Sequence, residues 1–395
     1  MTNIVLINIS AGGHYSETIK IMLTKRIIRC ILPKNCGVKV INKGCLYAFM
    51  KNIGVIISAY NRKKYIKYAL HSVLSQSLPK ELYDIIVIKN YKDEDIDNYI
   101  TANNVKSIVA SNETTYGKRI LMALEQVEGR VITFLEDDDL YEKDRLLHIY
   151  NAFENQDKFI YFHNNATPIN SDGKVIDSVK IINYYDPYPL RNKLYFRARD
   201  TIYKLKPWPT YFTSNPSSQA IDRELLEKWK MILEQLDTFI DPFLFIISLI
   251  EDAYVINDPA KLTLIRLHEN NDSSTLFNRS FEEIVEKKRH FLMRAYTAVK
   301  IVHKEFYGKF GKIIDSVLES TYLWILFNAS TWPSKYIYLG ERISIMDVSK
   351  YIKAKKSLNM PIRYKDLFAA VALANIPDSL KEFILKNTYK IIPIP

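Results

Sequence analysis

The sequence predicts an α/β fold, a mostly parallel sheet with helices on both faces, followed by a helical extension. Three observations carry this. Apolar runs of strand length alternate with helical patterns between residues 53 and 155. Those runs are apolar throughout rather than at every second residue. After residue 276 long helical patterns take over. Strands buried on both faces lose the in-and-out alternation, and alternation with helices is what the crossovers of a parallel sheet demand. At 395 residues and 48% apolar content, the chain can bury a substantial core.

The elements follow in order. IVLINISAGGHYSETIKIM (4–22) reads as strand, Gly-rich turn and helix, expected as an addition at the edge of the main sheet. A Gly12-Gly13 turn opening a helix is also a backbone that cradles phosphate. IGVIISA (53–59) is a buried strand ending at Tyr60-Asn61-Arg62, with a helical pattern through Tyr65, Ala69, Val73 and Leu74. The unit repeats as LYDIIVIKN (82–90) with an acidic helix from Asp93, and as VKSIVAS (105–111) with the helix 116–129. A fourth strand, 130–135, leads to a helix over 142–155, and a fifth, 158–164, leads to a hairpin at Asn170-Ser171-Asp172-Gly173.

Residues 181–215, rich in Tyr, Pro, Arg and Trp, have no periodicity and predict a long surface loop lining a site. A helix follows at 222–235. DTFIDPFLFIISLIED (237–252) sets Asp241 as the cap of an apolar helix, with Pro242 in its first turn. AYVIND and KLTLIRLHENNDSS predict a strand pair. Helices are expected over 282–306, 312–327 and 367–374. The resulting regions are 1–50, 51–275 and 276–395.

Of the net charge of +11, nearly all lies in the last region, where 20 Lys+Arg face 11 Asp+Glu. A basic helical region with interleaved Tyr, Trp and Phe suits anionic headgroups at a membrane surface, and it equally suits a solvated helical subdomain. Nucleic acid is not expected as a partner, because no helix-turn-helix, zinc or RNA-binding signature accompanies the charge. Cys30, Cys36 and Cys45 have no CxxC spacing and read as buried free thiols. With no run of roughly 18 apolar residues and no signal-peptide pattern at the start, the expected location is cytoplasmic, peripheral to the membrane if the basic helices bind it.

The chemistry concentrates in FLEDDDLYEKDRL (134–146), where Glu136, Asp137, Asp138 and Asp139 leave the end of a buried strand together. Four adjacent carboxylates repel one another unless solvated or neutralised. Hard oxygen ligands of this kind suit Mg²⁺ or Mn²⁺. An acidic turn capping the next helix is the other reading of the same residues. In open α/β sheets ligands bind beyond the carboxyl ends of the strands, where both these acids and the Tyr60 loop lie.

Taken in order, these motifs resemble the family 2 glycosyltransferases of the GT-A fold over residues 51–275. IGVIISAYNRKKYIKYALHSVLSQSLP resembles their first strand and helix, YDIIVIKN the second strand, and EGRVITFLEDDDLYEKDRL the strand with the DxD-like acids. SNPSSQAIDRELLEKW resembles the acceptor-side segment, DTFIDPFLF the catalytic acid before a helix, and LTLIRLHENNDSS the closing strand with its histidine. The resemblance implies an inverting transfer from a nucleoside-diphosphate sugar to a hydroxyl of a glycan, lipid-linked or protein-linked acceptor. It implies Asp241 as the base and Asp138 and His268 as metal ligands. For the nucleotide sugar it implies Ala59, Tyr60, Asn61, Arg62, Asn90, Lys118, Arg119, Glu136 and Asp137, and it leaves Asp139 structural.

Two departures from the family pattern bear on the donor. Lys89-Asn90 stands where the second strand ends in acids, and Lys118-Arg119 lies where an Arg-Asn pair is usual. They leave a non-catalytic protein of the same fold that binds glycans or nucleotide sugars as the alternative. Residues 3–22, with their Gly-Gly-His loop, resemble the start of Alg14-like glycosyltransferase subunits.

Overall fold

Thr18-Ile19-Lys20-Ile21 alternates polar and β-branched residues with a period of two, which is a strand's signal rather than a helix's. In the computed structural model of the protein this segment is a strand, correcting the expected helix. β1 (Asn3–Ala11) and β2 (Tyr15–Leu23) pair antiparallel with each other, as a two-stranded sheet of their own rather than an edge of the main one. The structure describes residues 3–11, 15–23, 52–111, 114–154, 158–177, 192–197, 200, 215–268, 271, 280–341, 343–362 and 364–388. The Gly12-Gly13 turn and all three cysteines lie outside them. The chain forms two compact units, Met1–Phe49 and Met50–Pro395.

In the second unit the expected alternation is present. β3 (Ile53–Ala59), α1 (Ile66–Leu74), β4 (Tyr83–Lys89), α2 (Glu94–Ala102), β5 (Lys106–Val109), α3 (Tyr116–Leu124) and β6 (Val131–Glu136) follow one another. β3 and β4 are buried along their whole length. Successive side chains enter opposite faces: Val55 and Ile57 join one apolar cluster, Ile56 the other. β4 and β6 both flank β3 in parallel, and β5 extends the sheet beyond β4. Strand order therefore reverses at β3, and the crevice at that reversal is where such sheets bind ligands.

Beyond β6 the sheet becomes mixed. After β7 (Leu140–Tyr141), α4 (Arg145–Phe153), β8 (Ile160–Ile169) and β9 (Leu194–Arg197), β10 (Gln219–Asp222) inserts antiparallel between β6 and β8. Arg145 ties this seam together from full burial. Its guanidinium donates to Asn164 Oδ1 at 3.0 Å, Thr133 Oγ1 at 2.8 Å and the Gln219 carbonyl at 3.2 Å. β9 lies within the stretch expected to be wholly loop; of that stretch, residues 181–191, 198–199 and 201–214 are outside the described residues.

The helix expected over 222–235 is two short ones, α5 (Arg223–Lys228) and α6 (Lys230–Leu233). They are interrupted at Trp229, whose ring turns edge-on to Phe306 and donates to Glu251. After α7 (Ile240–Ile250), the expected strand pair is one strand, β11 (Tyr254–Arg266), running parallel to β8. Asp258-Pro259-Ala260 makes a register shift instead of a reversal, and the Asp258 carboxylate accepts from the Ala260 N–H. The two ends of β11 also pair with β9 and β7.

The expected helices α8 (Phe281–Phe306) and α9 (Lys312–Ser330) are present, α8 opening with a Ser280/Glu283 capping box. α10 (Ile345–Ser357), α11 (Tyr364–Ala374) and α12 (Asp378–Thr388) follow; the sequence pattern anticipated only α11 of these. Among the described residues no helix is long and apolar enough to cross a membrane.

Candidate active site

The loop after β3 is latched to the loop after β4. Asn61 takes a left-handed backbone conformation (φ 56°) that asparagine tolerates. Its N–H donates to Asn90 Oδ1 and its Oδ1 accepts from Asn90 Nδ2, both at 2.8 Å. Ala59 is buried at the strand end. Lys89 turns inward, where its ammonium reaches Asp97 and the Tyr91 carbonyl, both at 2.7 Å, so its charge is spent inside the fold. Tyr60 is partly exposed, with the Arg119 guanidinium 4.6 Å from its ring centre; Arg119 also lies over Tyr116. Lys118 is exposed on the same helix and is not among the residues lining the cavity described below.

The four acids divide by partner. Arg62 forks across two of them, to Asp137 Oδ1 at 2.5 Å and Asp138 Oδ2 at 2.6 Å. Asp138 also meets His268 Nε2 at 3.0 Å and Asn271 Nδ2 at 3.3 Å. Asp139 does not cap the next helix, as one reading of the sequence held. It is buried and accepts from the Arg266 N–H at 3.0 Å and Asn215 Nδ2 at 3.1 Å, so it joins β11 and the turn before β10 to the acidic loop. The residue preceding α4 is Asp144.

Burial, with repulsion from Asp138, pushes Asp139 up to about 7. Asp137 is also pushed up to about 7 by burial, with Arg62 pulling against it. Burial and the Asp138 and Asp139 charges raise Glu136 well above the usual carboxylate range. The loop therefore holds its full negative charge only at a cost, which Arg62 offsets in part at Asp137.

Glu136, Asp138 and Asp139 each offer an oxygen within 4.8 Å of the others, and Asp137 Oδ2 is buried without a partner. Hard oxygen donors that repel one another fit a divalent cation.

Asp241 stands apart from that cluster of charge. It lies inside the first turn of α7 rather than at its cap, because Phe239 ahead of it takes a left-handed conformation (φ 68°). Its carboxylate accepts from the Asn215 N–H at 3.2 Å. Burial alone pushes it up to about 7, against those N–H bonds. Asn215, itself left-handed (φ 60°), thereby touches both Asp139 and Asp241.

The segment leading to Asp241 is held from two directions. Asp237 accepts from the Tyr116 N–H at 3.2 Å and from Arg294 Nε of α8 at 2.8 Å. Gly117 donates to the Leu236 carbonyl at 2.7 Å, and any Cβ there would lie 1.7 Å from the Leu233 oxygen.

Part of this set opens onto one cavity of about 680 Å³, whose lining does not include Ala59, Tyr60, Asn61, Asn90, Arg119, Asp137 or His268. Arg62, Glu136, Asp138, Asp139 and Asp241 line it, with Asn271, Asn215 and the amides of β8. Sequence reasoning singled out neither Asn215 nor the α8–α9 residues that also line it, nor Arg266, which lies outside the lining and braces the acidic loop. Arg266 donates to the Asp138 carbonyl at 2.9 Å. The local signals were the motif SNPSSQ that contains Asn215 and the place of Arg266 two residues before His268.

A parallel strand order reversing at β3, with acids, an arginine and a buried carboxyl in its crevice, defines the chain as a GT-A-type α/β protein. Residues 54–227 match the family model described as Glycosyl transferase family 2, so this segment is a domain of that family. An uncharacterized glycosyltransferase of Rickettsia felis is 26% identical over 272 residues, 58% of this chain and 44% of the relative. The poly(ribitol-phosphate) beta-N-acetylglucosaminyltransferase TarS of Staphylococcus aureus is 30% identical over 102 residues, 25% of this chain and 18% of TarS. The putative teichuronic acid biosynthesis glycosyltransferase TuaG of Bacillus subtilis is 32% identical over 106 residues, covering 24% and 38%. The chain thus spans less than half the length of each of these relatives. A crystal structure of S. aureus TarS in complex with UDP-GlcNAc superposes with a TM-score of 0.50 at 14% identity, over 86% of this chain and 91% of that one. At that identity the likeness concerns the fold.

Proposed function

We propose that the protein is an inverting glycosyltransferase moving a sugar from a nucleoside-diphosphate sugar to a hydroxyl of a glycan or lipid-linked acceptor, assisted by Mg²⁺ or Mn²⁺. One observation carries this: the acidic loop and Asp241 open onto the same cavity although their surroundings differ. Such a transfer needs positive charge where the diphosphate departs and a base where the hydroxyl attacks.

Glu136, Asp138 and Asp139, with His268 beside Asp138, would hold the cation. When bound, it would supply charge stabilisation to the leaving diphosphate. Arg62 holds Asp137 and Asp138 in place. The Tyr60 ring and the Asn61–Asn90 latch face the donor's nucleoside. Asp241 takes the proton of the attacking hydroxyl, and burial has already brought its affinity for that proton close to neutrality. The relatives named for poly(ribitol-phosphate) and teichuronic acid biosynthesis favour a polymeric acceptor.

A thermal-shift screen of UDP-, GDP- and dTDP-sugars with and without Mn²⁺ or Mg²⁺ tests the donor. A saturating donor at 100 times its Kd should stabilise the fold by about 2.7 kcal/mol. No metal-dependent shift with any donor would sink this assignment. Binding without turnover would mark a non-catalytic nucleotide-sugar binder instead.

The basic helices are the proposed contact with an anionic membrane surface. Ile345 and Met346 on α10, Phe368 on α11 and Phe383 on α12 are exposed on elements that also carry lysines. Co-sedimentation with phosphatidylglycerol vesicles that persists at high salt as well as low would argue against an electrostatic attachment.

A further inference from the structure

The cavity has a wall that the catalytic scheme does not use. His290, Phe291 and Arg294 of α8 and Trp324 of α9 line the same space as Asp241. Most neighbours of Trp324 on its helix are in the core: Leu323, Ile325, Leu326 and Phe327 are each 5% exposed or less. Trp324 itself is 40% exposed, so packing does not account for an indole at this position. The wall is also fastened to the segment that carries the base. Arg294 donates to the Asp237 carboxylate at 2.8 Å and to the Asp237 carbonyl at 2.7 Å, four residues before Asp241. Phe239, between them, packs against the cluster formed by these helices.

We infer that the α8–α9 wall is the acceptor subsite, and that Trp324 receives the apolar face of a pyranose ring of a glycan acceptor. The inference rests on Asp241 as the base. A hydroxyl losing its proton to Asp241 must lie within hydrogen-bond reach of it. The acceptor therefore occupies the part of the cavity next to residues 237–241, and α8 is joined to that segment.

The chemistry of the wall fits a saccharide. A sugar ring presents C–H groups on one face and hydroxyls at its rim, and the cavity offers an indole and a phenyl ring together with the exposed imidazole of His290. The match to the family model ends at residue 227, and this wall lies beyond it. Chains with the same donor core can differ in acceptor by differing here.

Isothermal titration of the full chain with maltotriose, cellotriose and chitotriose, in the presence of UDP and Mn²⁺, tests the assignment. At least one trisaccharide should bind the wild type. Trp324→Ala should weaken that binding by about tenfold or more, and Trp324→Phe by less than about threefold, since a ring remains. Phe291→Leu, which keeps an apolar contact with the helical core, should also weaken the saccharide. UDP affinity should stay within about twofold in every variant. Failure of all three trisaccharides to bind, or equal binding by Trp324→Ala, overturns the inference. Loss of UDP binding in the wild type, with saccharide binding still sensitive to Trp324, would sink the donor assignment and leave the acceptor wall standing.

Discussion

The acidic loop and Asp241 share a cavity and a tendency to hold protons near neutral pH, but for different reasons. Asp137 and Asp139 are pushed up to about 7 by burial amid neighbouring carboxylates, with Arg62 offsetting part of the effect at Asp137. Asp241 reaches about 7 by burial, with only backbone N–H groups against it. A cation entering the loop would remove the repulsion there and return those acids to their charged form. At Asp241 no neighbouring carboxylate contributes to the shift, so its proton affinity stays where a base at neutral pH requires it. On the proposed scheme, one kind of side chain would be divided between charge neutralisation and proton transfer by what surrounds it.

The largest expected effect breaks the acidic half. Asp138→Ala should lower transfer by about 10³-fold and abolish metal-dependent stabilisation by nucleotide sugars in a thermal-shift assay. A variant that keeps both would leave the acids a purely structural role. Asp241→Asn should lower kcat by about 10²–10⁴-fold while the donor Kd from titration stays within about twofold. If donor binding fell with it, the two halves would not be separable.

The same variant sharpens the electrostatic contrast through stability. An unfolded aspartate ionises near 3.9 and the folded Asp241 near 7, so folding takes up a proton between those values. The contribution of this group is fully present below about pH 4 and is lost as pH rises through 7, a difference on the order of 4 kcal/mol. Asp241→Asn should therefore melt higher than the wild type at pH 8, with the gain vanishing near pH 4. Wild-type kcat/KM should in turn rise with pH to a plateau above about 7, reporting the base in its charged form.

Loosening the base without touching it should have a smaller effect. Arg294→Ala frees Asp237 from α8, and kcat should fall about tenfold at unchanged donor affinity, measured by steady-state kinetics. Asn90→Ala, which opens the latch to Asn61, should raise the donor KM about fivefold with kcat preserved, as loss of about one hydrogen bond would.

Much of this was legible in order along the chain. Ile53 to Ala59 could only be a strand buried on both faces, and the acids at 136–139 could only emerge at a strand's carboxyl end. Asp241 was conspicuous beside Pro242, although its place inside the first turn depends on Phe239 adopting a left-handed conformation that no sequence pattern announces. The expected helix at 14–22 failed because the Gly-Gly turn suggested a strand-to-helix unit and outweighed the two-residue alternation of Thr18 to Ile21. The expected strand pair is one long strand because the Asp258-Pro259 step shifts its register without ending it.

The sequence by itself determined the alternation of strands and helices, the acidic loop and the candidate base, because these depend on periodicity and on neighbours a few residues apart. Only the tertiary structure decided that Asn215 touches both carboxylate centres, that Arg266 braces the acidic loop from β11, and that α8 and α9 wall the cavity. Those contacts join residues up to 128 positions apart, as between Arg266 and Asp138. They are fixed by how the sheet stacks its strands and by which buried polar groups must find partners, and neither leaves a local mark in the chain.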